Sequence, residues 1–405
     1  MSKRTIQDMA IFGGPALFKD KEKLHVGRPN VGDRQKLLER LNDMLDRRWL
    51  TNDGPYVQEL EQKMAAYLGV KHALLICNGT VALEIASRAL DFKGEVIIPS
   101  FTFIATAHAL QWQEITPIFC DVGENSHNID PSRIEQHITP RTTGIMGVHV
   151  WGHPCCTKTI EEIAQKHNLR VLYDAAHAFG CSANGKMIGN FGNAEVFSFH
   201  ATKFFNTFEG GAITTNDDEL AQKIRYMRNF GFATYDQVKY IGINGKMSEV
   251  SAAMGLTLFE SLDDVIEVNY NHYKQYQQLL AHLNGISMFC YDENEKNNYQ
   301  YIILEIDEIQ TGINRDMLVN ALQAENVLAR RYFYPGCHEM EPYRSYFPHA
   351  GLLLPNTNKL TSRVLSLPTG TAVSAQDITK ICEFITYAIQ NGDEISARVA
   401  TSNSQ

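Results

Sequence analysis

Lys203 stands between Phe199 and the pair Phe204-Phe205, and a lysine in so apolar a setting loses part of its preference for the charged ammonium, leaving a nucleophilic amine. Asp174 follows directly on the apolar run 170–173 and opens the string Asp174-Ala-Ala-His177. A carboxylate at the carboxyl end of a strand points into a cleft, where it can hold a cationic ring nitrogen; capping the next helix is its ordinary alternative. His177 can reach a ring oxygen or stack beside it, although a lone histidine often has a purely structural part. The run Cys77-Asn78-Gly79-Thr80 lies between an apolar strand and a helix. Backbone N–H groups at a helix N-terminus, with the Thr80 hydroxyl, make an anion site, and the same string also reads as a turn and cap. Ser198 would add a second hydroxyl to that site. Phe103, in Pro99-Ser-Phe-Thr-Phe103, lies just past another strand and can stack on a flat ring, where otherwise an aromatic fills core.

A lysine amine, an acid for a ring nitrogen, a phosphate cradle and a stacking group are together what pyridoxal 5'-phosphate (PLP) chemistry requires. Their order along the chain matches the elements needed to position them. Short apolar runs at 72–77, 95–98, 115–120, 143–148, 170–173, 194–198 and 211–215 read as strands. Amphipathic stretches at 81–90, 106–113 and 159–167 are long enough to cross over a parallel sheet. In an open sheet of this kind ligands bind outside the carboxyl ends of the strands, where these residues should gather. A long helical pattern from Gly255 to about Leu283 leads to a smaller mixed region with an extended run at 299–306 and helices at 315–326 and 375–390.

The chain has 405 residues, enough for two or three domains, with 44% hydrophobic and 20% charged residues, so the class is soluble α/β. A net charge of −9 argues against a nucleic-acid surface. The eight cysteines include no C-x-x-C pair and read as free, mostly buried thiols, with no metal site. With neither a signal-like start nor an apolar stretch of membrane-spanning length, the expectation is a cytoplasmic protein without membrane contact.

The strings Asn78-Gly-Thr-Val-Ala-Leu83, Pro99-Ser-Phe-Thr-Phe103, Asp174-Ala-Ala-His177 and Ser198-Phe-His-Ala-Thr-Lys203 with Glu209-Gly-Gly211 resemble the DegT/DnrJ/EryC1/StrS aminotransferases, sugar aminotransferases of PLP fold type I. The resemblance runs from Phe12-Gly-Gly-Pro15 to Leu367-Pro368. It implies a large PLP-binding domain over 1–265, N-terminal segment included, with a mixed, mostly parallel sheet flanked by helices; a smaller C-terminal α+β domain over 266–400; and a flexible tail over 400–405. It implies Lys203 as Schiff-base lysine and proton shuttle, Asp174 as the pyridine partner and His177, where many members carry glutamine, near the ring oxygen. Gly79, Thr80 and Ser198 match phosphate-binding positions, and Phe103 the ring-stacking aromatic. Gly242-Ile-Asn244 looks like the segment whose asparagine reaches the neighbouring subunit's phosphate, which implies a homodimer with shared active sites. From the sequence alone Asn244 is a turn residue before a helix.

The implied reaction is a ping-pong transfer from L-glutamate to a nucleotide-linked keto-sugar, serving lipopolysaccharide, O-antigen or natural-product glycosylation. Relatives that dehydrate a sugar carry histidine at the position of Lys203, so lysine favours amino transfer. The stretches 200–211 and 26–33 look most like members acting on dTDP-4-keto-6-deoxy-D-glucose. A 3-keto sugar, or one linked to UDP or GDP, is the alternative within the class. Arg330, Arg331, Tyr332, Tyr334 and His338 fall in the segment that often borders the sugar-nucleotide cleft, where arginines would pair a diphosphate and tyrosines stack. A non-catalytic PLP-fold regulator is disfavoured by Lys203 and Asp174 together, and a dehydrogenase by the lack of G-x-G-x-x-G after an early strand.

Overall fold

The computed structural model describes residues 5–19 and 23–402. A seven-stranded sheet runs in the order His72–Ile76, Gly211–Thr215, Ala194–Ser198, Arg170–Asp174, Thr142–Val148, Glu95–Pro99, Thr116–Cys120. Gly211–Thr215 is antiparallel to both neighbours and every other pair is parallel. The sheet is therefore mixed and mostly parallel, built from the seven runs expected. Its register sets the site: Gly211 pairs with both Ile76 and Ser198, which brings the turn after Ile76 beside the end of Ala194–Ser198. A Cβ on Gly211 would stand 2.8 Å from the Phe197 carbonyl oxygen, so this junction admits only glycine.

Helices Gly79–Ala89, Ala105–Gln111 and Thr157–His167 cross over the sheet. The first starts where it does because Asn78 Oδ1 accepts the Val81 N–H at 2.8 Å. The loop after Ser198 is pinned by Phe199, Phe204 and Phe205, all buried in one cluster with Phe179. Burial of each phenyl contributes about 2–3 kcal/mol toward holding the loop.

The helical pattern from Gly255 to Leu283 is two helices, Glu249–Phe259 and Leu262–Leu280. The first begins earlier than expected because Ser248 caps it; the break falls at Ser261, whose hydroxyl bonds back to the Leu258 carbonyl. Leu262 and Val265 belong to the large core, Tyr273, Tyr276 and Leu280 to the smaller one, and Ile266 packs against both. The smaller core surrounds an antiparallel sheet of Ile286–Met288, Ile302–Ile306 and Val364–Leu367.

Two expectations are corrected. The N-terminal segment, expected with the large domain, packs into the smaller one: Ile6, Met9, Phe18 and Leu24 join its core, and Leu24–His25 pairs in parallel with Val327–Leu328. These side chains are apolar and are buried in one cluster with Ile302, Leu304, Leu318 and Ile385. The tail expected from Ala400 is helical through Ser402, as the end of Gly392–Ser402, and residues 403–405 lie outside the described ones. All eight cysteines are free, five of them buried.

Candidate active site

A cavity of about 530 Å³ opens at the carboxyl edge of the sheet. Gly79, Thr80, Phe103, Asp174, His177, Ser198 and Lys203 all line it. The seven-stranded sheet and the loops at its edge supply these groups, and Gln300, Tyr301, Arg330, Tyr332 and Phe333 close the other side, with Val26 and Gly27 of the N-terminal segment.

Asp174 is the last residue of its strand and is buried. Its Oδ2 accepts the Thr106 hydroxyl at 2.8 Å and its Oδ1 the Ala176 N–H at 3.1 Å. Burial raises its pKa above the usual carboxylate value; the two hydrogen bonds and the Lys203 charge pull the other way. A desolvated carboxylate at a cavity wall is suited to a cationic ring nitrogen.

Lys203 faces the cavity and its Nζ donates to the Tyr301 hydroxyl at 3.1 Å. Burial pushes its pKa down to about 8, against the pull of Asp174. The amine is therefore partly free near neutral pH. His177 is buried, and burial with the Lys203 charge holds its pKa well below the usual histidine value, so the ring is neutral. The Trp151 backbone N–H donates to His177 Nδ1 at 3.2 Å, which places the ring proton on Nε2. The ring stacks on Trp151 with centroids 5.7 Å apart.

The cradle is Gly79 and Thr80 at the start of their helix, facing Ser198. A Cβ on Gly79 would come within 2.9 Å of the Ser198 Cβ, so glycine keeps this corner open for an anion on the helix N-terminus. Phe103, 57% exposed, stands at the cavity wall and not in the core. The buried acid, the cavity-facing amine and the open cradle fit PLP.

Not every expected residue reaches the cavity. Arg330 and Tyr332 do, with the Arg330 guanidinium 5.1 Å from the Tyr332 ring centroid. Arg331 instead pairs with Asp316 at 3.1 Å, and Tyr334 lies between Arg315 and Arg331. His338 is buried between Ser100 and Asn358 as a structural link. Asn244 is exposed, outside the cavity of its own chain, and accepts from Lys246 Nζ at 2.7 Å. Sequence reasoning missed Thr106, Trp151, Gln300 and Tyr301. Only the last two had a local signal, as polar groups heading an extended run.

The family model described as the DegT/DnrJ/EryC1/StrS aminotransferase family matches residues 32–386. The chain is 40% identical over 370 residues to a dTDP-4-amino-4,6-dideoxy-D-glucose transaminase of Shigella dysenteriae, covering 91% of this chain and 99% of that protein. It is 34% identical over 365 residues to a GDP-perosamine synthase of Escherichia coli O157:H7, covering 89% and 97%. Among solved structures it resembles DesI in the presence of its TDP-sugar product, with a TM-score of 0.94 and 47% identity over 98% of this chain and 100% of that one.

Proposed function

Because the chain belongs to the DegT/DnrJ/EryC1/StrS aminotransferase family, and so is a PLP-dependent sugar aminotransferase, we propose that it aminates dTDP-4-keto-6-deoxy-D-glucose to dTDP-4-amino-4,6-dideoxy-D-glucose with L-glutamate as donor. The observation that carries this reading is one cavity holding Lys203, Asp174, the Gly79 cradle and Arg330 in a fold 47% identical to a structure described with its TDP-sugar product.

Gly79, Thr80 and Ser198 hold the cofactor phosphate, Asp174 the ring nitrogen and Phe103 the ring face, while His177 offers its Nε2 proton. PLP supplies an aldehyde and an electron-withdrawing ring that make an amino group's α-proton removable. Lys203 would take that proton at Nζ and deliver it to a different carbon, a role suited to an amine that titrates at about 8. Asp174 keeps its negative charge against the ring throughout. Arg330 pairs an anionic part of the substrate, with Tyr332 beneath its guanidinium.

The active unit is a homodimer in which Asn244 serves the partner's cavity; its exposure beside Ile241 and Ile243, both exposed apolar residues, supports this. Mixing Lys203→Ala with Asn244→Ala chains should then restore part of the activity that each lacks alone. The unpaired thiols suit the cytoplasm. Among the described residues no helix is long and apolar enough to cross a membrane.

Incubating the protein with PLP, L-glutamate and dTDP-4-keto-6-deoxyglucose, then identifying the product by mass and NMR, tests the substrate. A 4-amino sugar supports the reading. Turnover only with a GDP-linked 4-keto sugar would move the assignment toward the second relative.

A further inference from the structure

The one hydrogen bond made by Lys203 Nζ among the described residues comes from across the cavity. It runs to the Tyr301 hydroxyl at 3.1 Å. Next to it, Gln300 Oε1 accepts the Phe204 N–H at 3.2 Å. Two consecutive residues of the smaller domain thus grip two consecutive residues of the lysine loop, one through a side chain and one through the backbone.

Tyr301 is itself rigidly placed. The Tyr291 hydroxyl donates to its carbonyl at 3.0 Å, and its ring centroid lies 4.5 Å from that of His177 and 5.1 Å from that of Trp151. Two residues earlier in the chain from Gln300, Asn298 donates to the carbonyls of His177 and Phe179 at 2.8 and 3.0 Å, and its Oδ1 accepts the Gln300 N–H at 3.1 Å. The segment is therefore fastened to the His177 loop as well as to the Lys203 loop.

A lysine reaches its amine through four rotatable bonds, and without a fixed partner the amine sweeps a wide arc. A buried phenol on a fixed backbone limits that arc. Burial also keeps the Tyr301 proton on its oxygen well above the ordinary range. The hydroxyl therefore stays neutral at working pH, accepting from the ammonium form of Lys203 and donating to the free amine.

We propose that Tyr301 is a positioning residue for Lys203, holding the free amine aimed into the cavity and setting when it carries its proton. The role belongs to the part of the cycle in which the amine is not joined to the cofactor, and it rests on Lys203 being the anchoring amine. A charge-assisted bond is the stronger of the two that the hydroxyl makes, so the contact favours the protonated amine, and its loss lowers the pH at which the amine titrates.

The test is Tyr301→Phe in the PLP-loaded enzyme, which keeps the ring and its packing. Borohydride reduction and peptide mapping first locate the cofactor linkage. The enzyme is then converted to its pyridoxamine form with glutamate. In that form Lys203 labelling by an amine-reactive reagent is followed against pH by mass spectrometry, alongside kcat and KM. The expectation is a labelling midpoint lowered by about half a pH unit, kcat reduced about tenfold and KM values within about twofold. A variant with an unmoved midpoint and unchanged kcat, its cofactor still on Lys203, would overturn the proposal while leaving the site assignment intact. A cofactor found on another lysine would overturn both. Should the phenylalanine variant melt early, 3-fluorotyrosine at position 301 keeps the hydroxyl as a poorer acceptor. The midpoint must then fall in the same direction by less; an unchanged midpoint there counts against the proposal.

Discussion

Thr106 donates its hydroxyl to Asp174 at 2.8 Å, and the same oxygen lies 2.8 Å from the Thr102 hydroxyl. The helix Ala105–Gln111 thus supports the carboxylate it faces, since a hydrogen bond to the charged form opposes the rise that burial causes. Thr106→Val should let the Asp174 pKa rise further, since the hydrogen bond that opposes the rise is removed. The acid limb of kcat/KM then moves to higher pH, a shift that a pH–rate profile with saturating PLP measures.

Asp174→Asn should separate stability from activity. The folded pKa of Asp174 lies above its unfolded value, so the native state holds this proton more tightly than the unfolded chain does. Its charged form then costs stability, in full above the raised pKa; the cost fades as pH falls and is absent below the unfolded value. The asparagine variant without cofactor should melt higher than the parent at pH 8, with the difference vanishing in acid. Transamination should fall by at least about a hundredfold. Melting curves across pH, beside single-turnover rates, report both.

The strands, and the gathering of most candidate residues at one cavity, were legible because each candidate there follows its strand within a few positions. Asp174, Ser198 and Gly79 sit at ends marked by apolar runs, and Lys203 is identified by the aromatics that pin its loop. Thr106 and Trp151 carried no such mark; what makes them matter is a contact across the sheet edge. In the segment 330–338 sequence could show which residues were polar but not which faced the cavity, because the chain turns there: Arg331 pairs with Asp316, Tyr334 lies against Arg315 and Arg331, and His338 bonds Ser100 and Asn358. The N-terminal segment was misassigned since nothing local tells an apolar segment which of two cores it completes.

Gly79→Ala should fill the anion corner without unfolding the chain. The added methyl must displace Ser198, whose Cβ and Oγ would lie 2.9 and 3.2 Å away. PLP affinity is expected to drop about tenfold or more, with little change in melting of the cofactor-free protein. Absorbance titration with PLP gives the Kd directly.

Capture of PLP by the cofactor-free protein should accelerate with pH. Only the unprotonated amine attacks an aldehyde, and with Lys203 pushed down to about 8 roughly a tenth of it is free at pH 7 and half near pH 8. The rate should level off above about pH 9, far below the range of an ordinary lysine. Lys203→Ala should abolish the reducible linkage, and a variant that still forms it would displace Lys203 from its role.

Arg330 and Arg331 are neighbours with different surroundings, one at the cavity and one paired to Asp316. Arg330→Ala should raise KM for the nucleotide sugar about tenfold with kcat little changed. Arg331→Ala should leave KM within about twofold. Steady-state kinetics of the two variants side by side would reveal a reversed order.

The N-terminal segment is held in place by contacts of long sequence separation: Glu325 accepts the Ala10 N–H across 315 residues and the Leu17 N–H across 308. During synthesis, therefore, these residues leave the ribosome about 300 residues before the partners they pair with. Ile6, Met9 and Phe18 have no core to join until Val327 and the sheet around it have been made. The seven-stranded sheet can form while synthesis continues, whereas the nascent chain carries this apolar segment unpaired until Val327 has been made.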